Sequence, residues 1–186
     1  MPDKLDTLNQ AVNFVSIATL ESAARIGAKL AVTFEPYRAS IVEHLIATRL
    51  AHWEKEVRLG AADALAYVVE HAPGAITSEM VGRLSGVVIS DDINKIHGHC
   101  QGLGAMLPHL DRSILKPVCH LLDSIIMDSH HFSNADKTSH LIRPAVLYLL
   151  NQFASFDNAL EAKQAAQWSS KITKSGIHTL RIVKYV

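Results

Sequence analysis

A chain of 186 residues with 48% apolar residues and only 6% aromatics is long enough for one ordinary core, and points to helices packed through Ala, Leu, Ile and Val. Lysine plus arginine balances aspartate plus glutamate at 18 each, which excludes a net-charge attraction to nucleic acid or to an anionic membrane. Two cysteines, Cys100 and Cys119, are too sparse for a secreted disulfide scaffold, the start MPDKLDTLNQ has no basic-then-apolar signal, and no apolar run approaches the ~18 residues that span a bilayer; the expected location is the cytoplasm.

From Leu5 to Phe34 the apolar spacing predicts two helices, the second rich in alanine (SAARIGAKLAV). Pro36 starts another, whose positions Ile41, Val42, Leu45, Ile46 and Leu50 follow the i, i+3, i+4 rule. Leu50-Ala51-His52-Trp53 reads as a turn. In the next helix Val57, Ala61, Ala64, Leu65 and Val68 form one stripe, and Glu54 and Glu56 sit in the first turn, where carboxylates complement the helix dipole. Ala61, Ala62, Ala64 and Ala66 keep the helix surface low for a close neighbour, and Gly60 serves the same end at a cost of ~1 kcal/mol against alanine.

Ala72-Pro73-Gly74 ends that helix, and Thr77 or Ser78 caps a following one with Met80, Leu84, Val87 and Val88 on its inner side. Ser90-Asp91-Asp92 then caps a helix carrying Ile93, Ile96, Cys100, Leu103 and Leu107 on one face. Sliding the earlier helix pair along the sequence superimposes Leu45 on Leu84, Glu54 on Asp92, Gly60 on Gly98 and Leu65 on Leu103. A helix pair recurring at this distance, close to the period of about 40 to 47 residues, is the mark of a HEAT or armadillo solenoid.

After Pro108, Leu115, Val118, Leu122, Ile125 and Ile126 form a stripe, Asp128 to Asp136 (DSHHFSNAD) reads as a loop, and Leu141 to Phe153 as a helix that Pro144 either starts or kinks. A short helical pattern runs from Asn158 to Ile172, and the type of the final SGIHTLRIVKYV stays open; residues 158–186 are the part with no firm pattern. The expected fold is therefore all-α, a single HEAT/armadillo-like α-solenoid over 1–186 with about four helix pairs. Solenoids need polar capping ends, yet the first helix carries Leu5, Leu8, Val12, Phe14, Val15 and Ile17 with few charges, so that end is expected to self-associate or to need a partner.

The stretch FEPYRASIVEHLIATRLAHWEKEVRLGAADALAYVVEHAP, followed by SDDINKIHGHCQGLGAML, resembles the central HEAT-repeat region of the tubulin-specific chaperone D (tubulin folding cofactor D) family. In that family a His-Trp-Asp turn precedes an Ile-Arg-x-x-Ala-Ala-x-Ala-Leu helix; here these are His52-Trp53-Glu54 and Val57 to Leu65. A second family element, Asp followed by Arg-His-Gly, appears as Asp92 and Ile96-His97-Gly98, with Ile96 standing where an arginine would bridge neighbouring repeats. The likeness extends upstream to about Leu5, reappears in HLIRPAVLYLLNQF and fades beyond Phe156.

Members of the family are several times longer, so the chain corresponds to a few middle repeats, as a fragment or a reduced copy. The resemblance implies a cytosolic, cytoskeleton-associated factor that holds beta-tubulin, joins other tubulin folding cofactors and an ADP-ribosylation-factor-like small GTPase, and helps assemble the alpha/beta heterodimer. It also implies a part in stimulating GTP hydrolysis within a larger complex, without an active site of its own. The alternative is a HEAT-repeat scaffold or adaptor for other cytosolic proteins.

On these elements His52, Trp53, Lys55, Arg58 and His97 are the candidate partner-binding residues. Arg58 stands where HEAT repeats commonly carry an arginine bonded to an acidic residue of the adjoining repeat, so its first expected role is structural. Trp53 is expected to plug the turn between the helices of a repeat, with an exposed anchor as the sharper alternative. His52 and Glu54 lie two apart at a helix start, a spacing that sends them in different directions, and no nucleophile accompanies them. His97, His99 and Cys100 with Cys119 and His120 lack the paired spacing of a zinc site, and Gly98, Gly102 and Gly104 lack the strand and Lys-Ser/Thr of a phosphate loop; no catalytic, metal or cofactor residue is assigned. Lys171, Lys174, Arg181 and Lys184 read as a solvated face.

Overall fold

A computed structural model describes residues 4–86, 92–114, 118–120 and 139–154. These are helical almost throughout, and no strand occurs among them. The elements in chain order are α1 (Lys4–Thr33), α2 (Glu35–His44) continued by a π-helical turn (Leu45–Arg49), α3 (Lys55–His71), α4 (Ser78–Gly86), α5 (Ile93–Met106), two short 3₁₀ turns (Leu107–His109 and Arg112–Ile114), and α6 (Ser139–Ala154).

The expected pair of helices between Leu5 and Phe34 is one unbroken helix of 30 residues. No proline interrupts it, and its one glycine over that span, Gly27, sits at the close approach to α2, where an added Cβ would lie 3.5 Å from Ile41 Cγ2. The residue that precedes α2, Phe34, is extended, with φ −118° and ψ 93°, and the helix ends at Thr33. Two of its last carbonyls are satisfied from the next helix, as Arg38 donates through Nε to Ala31 O (2.9 Å) and through Nη2 to Val32 O (3.2 Å). Pro36 then lies in the first turn of α2, where its missing N–H costs nothing.

Past Val42 the chain widens into the π turn, with Leu50 N–H bonded to Leu45 O five residues back (2.9 Å). The turn after it delivers α3. Thr77 Oγ1 accepts from Met80 N–H at the start of α4 (3.2 Å), and Asp92 Oδ1 accepts from Asn94 and Lys95 N–H at the start of α5 (3.0 and 3.3 Å). Gly74, at φ 88°, carries the chain out of α3 in a left-handed conformation that glycine adopts without strain. Pro144 lies in the second turn of α6, past the start and inside the helix.

α3 packs between α1 and α5, α5 packs in turn against α6, while α2 lies against α1 and α4 against α5. The two stretches that superimpose in the sequence thus lie side by side, and a bidentate pair from Arg83 on α4 to Glu43 on α2 (3.1 and 2.6 Å) links their other helices. One continuous apolar cluster runs through these contacts, from Ala24, Ala28 and Ala31 on α1, through Leu65 and Val68 on α3 and Cys100 and Leu103 on α5, to Leu149 and Phe153 on α6. Of the stripe expected after Pro108, Val118 is buried in the cluster; Leu115, Leu122, Ile125 and Ile126, together with Val87 and Val88, the DSHHFSNAD segment and residues 155–186, lie outside the described residues, as do the side chains of Leu5 to Val15.

Two glycines on α5 receive the turn before α3 at close range. A Cβ on Gly98 would fall 1.8 Å from the carbonyl oxygen of Leu50, and one on Gly102 would fall 2.7 Å from Leu50 Cδ1. The turn before α3 therefore rests directly on the α5 backbone, and Leu50, fully buried, fills the space the two missing side chains leave. Burying a leucine in this way stabilises by about 1.5–3 kcal/mol. Gly104, on another face of α5, admits Tyr148 of α6 in the same manner.

Candidate functional site

The residues singled out in the sequence converge on the turn between the π-helical segment and α3. Arg58, one turn into α3, points back under it. Its Nη1 donates to His52 O (2.6 Å), Trp53 O (2.9 Å) and Asn94 Oδ1 (2.9 Å), and its Nε donates to His97 Nδ1 (3.1 Å). The side chain is 1% exposed. One guanidinium thereby ties the turn to its own helix and both to α5, and its fixed fork is suited to several acceptors at once.

The acidic partner expected for Arg58 in the adjoining repeat is replaced by neutral ones. Asp92 is the nearest counterpart in the register, but its Oδ1 caps α5, and the contact passes to Asn94 and His97 further along that helix. Burial lowers the pKa of Arg58 from its ordinary value, with Glu54, Asp92 and Glu56 acting in the opposite direction from a distance. An arginine stays cationic through such a shift. Ile96, at the register position of Arg58, is buried, so the side-chain bridge at this register is carried from the α3 side.

His97, 2% exposed, accepts at Nδ1 from Arg58, which places its proton on Nε2. Burial first, then the charges of Arg58 and Lys55, push its pKa down to about 4. The neutral ring is what a buried cation requires as a neighbour. His99, also buried, bonds through Nδ1 to Leu84 O at 3.2 Å, and its pKa too is lowered by burial. Cys100 is fully buried, and burial raises its thiol to about 12, so it packs as a small apolar residue. Among the described residues no group of three or more His, Cys, Asp or Glu side chains is placed to hold a metal ion.

Trp53 does not plug the turn. It is 66% exposed, its ring lying 5.4 Å from that of His52 at an angle of 30°. Leu50 takes the buried position instead, because its backbone and side chain together fill the surface left open by Gly98 and Gly102. His52 is half-buried, and its Nδ1 accepts from the backbone N–H of Glu54 (3.0 Å) rather than meeting that residue's carboxylate. Lys55, the first residue of α3, is exposed.

Of the five candidate residues, then, Trp53, Lys55 and part of His52 present surface, while Arg58 and His97 are buried, and Arg58 holds the backbone of His52 and Trp53. Arg58 and His97, named from the sequence among the partner-binding candidates, are 1% and 2% exposed. Sequence reasoning missed Asn94, and it placed Leu50 on the apolar stripe of its helix without its contact to α5; the signal for Asn94 is a polar amide on α5, one place after Ile93. It missed as well that Ile26, Leu30, Phe34 and Tyr37 are among the large apolar side chains left exposed, all of them on α1 or α2 or between them. No protein-family model matches this chain, and no solved structure gives a significant match. No helix among the described residues is long and apolar enough to cross a membrane.

Proposed function

We propose that the chain is a protein-docking segment of the tubulin cofactor D type, a HEAT-like α-solenoid whose Trp53 turn contacts beta-tubulin. The observation that carries the reading is an exposed tryptophan on a turn fixed from beneath: Arg58 takes the carbonyls of both His52 and Trp53 while Trp53 itself remains 66% exposed. Anchors of this kind contribute most when their backbone is already ordered, since little conformational freedom is lost on binding. The packing of α1, α3, α5 and α6 in chain order, with the two recurring stretches lying side by side, supports the solenoid architecture. The HWEKEVRLGAADAL resemblance supplies the partner.

On this reading the segment works in the cytoplasm alongside the other tubulin folding cofactors and an ADP-ribosylation-factor-like GTPase, and any effect on GTP hydrolysis arises in the assembled complex. Its own contribution is positioning. The test is titration of the purified chain with labelled tubulin heterodimer over a range of salt concentrations. Trp53→Ala is expected to weaken binding by about 2 kcal/mol with an unchanged melting temperature. Absence of tubulin binding at every salt concentration sinks the proposal.

A further inference from the structure

The α1–α2 hairpin carries a second surface, distinct from the Trp53 turn and independent of what that turn meets. Two adjoining cavities of ≈ 380 and ≈ 370 Å³ share Ser40 and Ile41 as a common wall. The first is open and apolar, bordered by Leu30, Phe34 and Tyr37, which are 43%, 50% and 65% exposed. The second is floored by small α1 residues, Ala23 and Gly27 among them, and closed at its far side by His44 and Arg49. Along α1 the two extend from Ala23 to Phe34, about 16 Å or three helical turns.

The polar end of this groove is built by the π turn. In an α-helix residues five apart diverge by about 140° around the axis. Here the wider turn brings Arg49 Nε to 3.2 Å from His44 Nε2, to which it donates. That leaves the rest of the guanidinium of Arg49, a half-buried residue, with no partner among the described residues. No carboxylate lines either cavity, and between Ser22 and Phe34 the charged residues of α1 are Arg25 and Lys29.

The molecule itself shows what such a face receives. In the following helix pair Arg83 stands at the register position of His44, and it is held by a carboxylate of the preceding pair, Glu43, through two bonds of 3.1 and 2.6 Å. The groove between α1 and α2 presents a basic edge through His44 and Arg49, and no acid is among its lining residues. We propose that the α1–α2 groove docks an acidic amphipathic helix of a partner protein, its apolar stripe against Leu30, Phe34 and Tyr37 and a carboxylate on Arg49.

The probe is a fluorescein-labelled amphipathic peptide of about 18 residues with leucine at i, i+3, i+4 and i+7 and glutamate on its flanks, compared by anisotropy with the same peptide carrying lysine for glutamate. The glutamate peptide is expected to bind about three- to fivefold tighter, and Arg49→Glu to reverse that order. Phe34→Ala is expected to weaken both peptides about tenfold. Both substitutions lie at exposed or half-exposed positions, and unchanged circular dichroism and melting confirm an intact fold. Failure of both peptides to bind, equal binding, or an order that Arg49→Glu leaves unchanged overturns the proposal. A concentration-dependent dimer that Phe34→Ala dissolves also overturns it, by assigning the groove to a second copy of the chain.

Discussion

The stretch around α3 and the stretch around α5 share a common register, yet corresponding positions meet different neighbours. Glu54 and Asp92 both precede their helix in extended geometry, but only Asp92 caps it with its side chain. Four residues on, Arg58 spans the two stretches while Ile96 merely fills the core. Two residues further, a Cβ on Gly60 would lie 3.5 Å from Glu21 Cγ, an ordinary contact, whereas one on Gly98 would strike the Leu50 carbonyl. The first stretch supplies the bridging side chain and the second supplies the room for it. The two stretches share a register, and the interface between them is asymmetric.

Gly98→Ala breaks that asymmetry most severely, because the obstacle is backbone on both sides. It is expected to cost at least about 3 kcal/mol and lower Tm by about 6–12 °C, whereas Gly60→Ala, with room and better helix propensity, should be neutral or stabilising by up to ~1 kcal/mol. Thermal unfolding of the two variants side by side is the check; equal losses would mean that the two glycines are equivalent after all. Arg58→Ala comes next, at about 2–3 kcal/mol, since it strands the acceptors of His52, Trp53, Asn94 and His97. Arg58→Lys should recover only part of this, as one ammonium cannot reach both the turn carbonyls and the imidazole. If Arg58→Ala leaves melting untouched and weakens partner binding alone, the bridge is not structural.

A pH titration sharpens the role of His97. Its folded pKa of about 4 lies below the ordinary 6.5, so the unfolded chain binds the proton more readily. Stability is then fully present above about pH 6.5 and falls as pH drops toward 4, by on the order of 2–3 kcal/mol from this residue. His97→Asn, which keeps an acceptor for Arg58, should flatten that slope, leaving the smaller slope expected of His99, whose pKa is also lowered. Denaturant midpoints measured at several pH values decide it. The smallest contrast is at the caps: Asp92→Ala should cost ~1 kcal/mol through its two lost N–H bonds, and Glu54→Ala close to nothing at the same register position.

Much of this framework is written locally. Pro36, Thr77 and Asp92 mark helix starts in the sequence and act as such in the structure, and Gly74 ends α3 where Ala72-Pro73-Gly74 is expected to end it. The division of Leu5 to Phe34 into two helices fails because an alanine-rich span with no proline has nothing to stop it at the residue where its apolar pattern drifts. Trp53 fails differently. Its size suggests a buried plug, but the space beneath the turn is shaped by two glycines of α5, remote from it along the chain, and a leucine fits it.

Periodicity and caps by themselves determined that the described residues are helical and where most of their helices begin. Which way each unusual side chain faces was decided only in three dimensions: Arg58 and His97 inward, Trp53, Phe34 and Tyr37 outward, and a π turn that draws Arg49 beside His44. The physical reason is range. Helical spacing is set by hydrogen bonds that reach a single turn along the chain, whereas the burial of a cation or the exposure of a tryptophan depends on the backbone that comes to rest against it, and here that backbone belongs to the neighbouring unit.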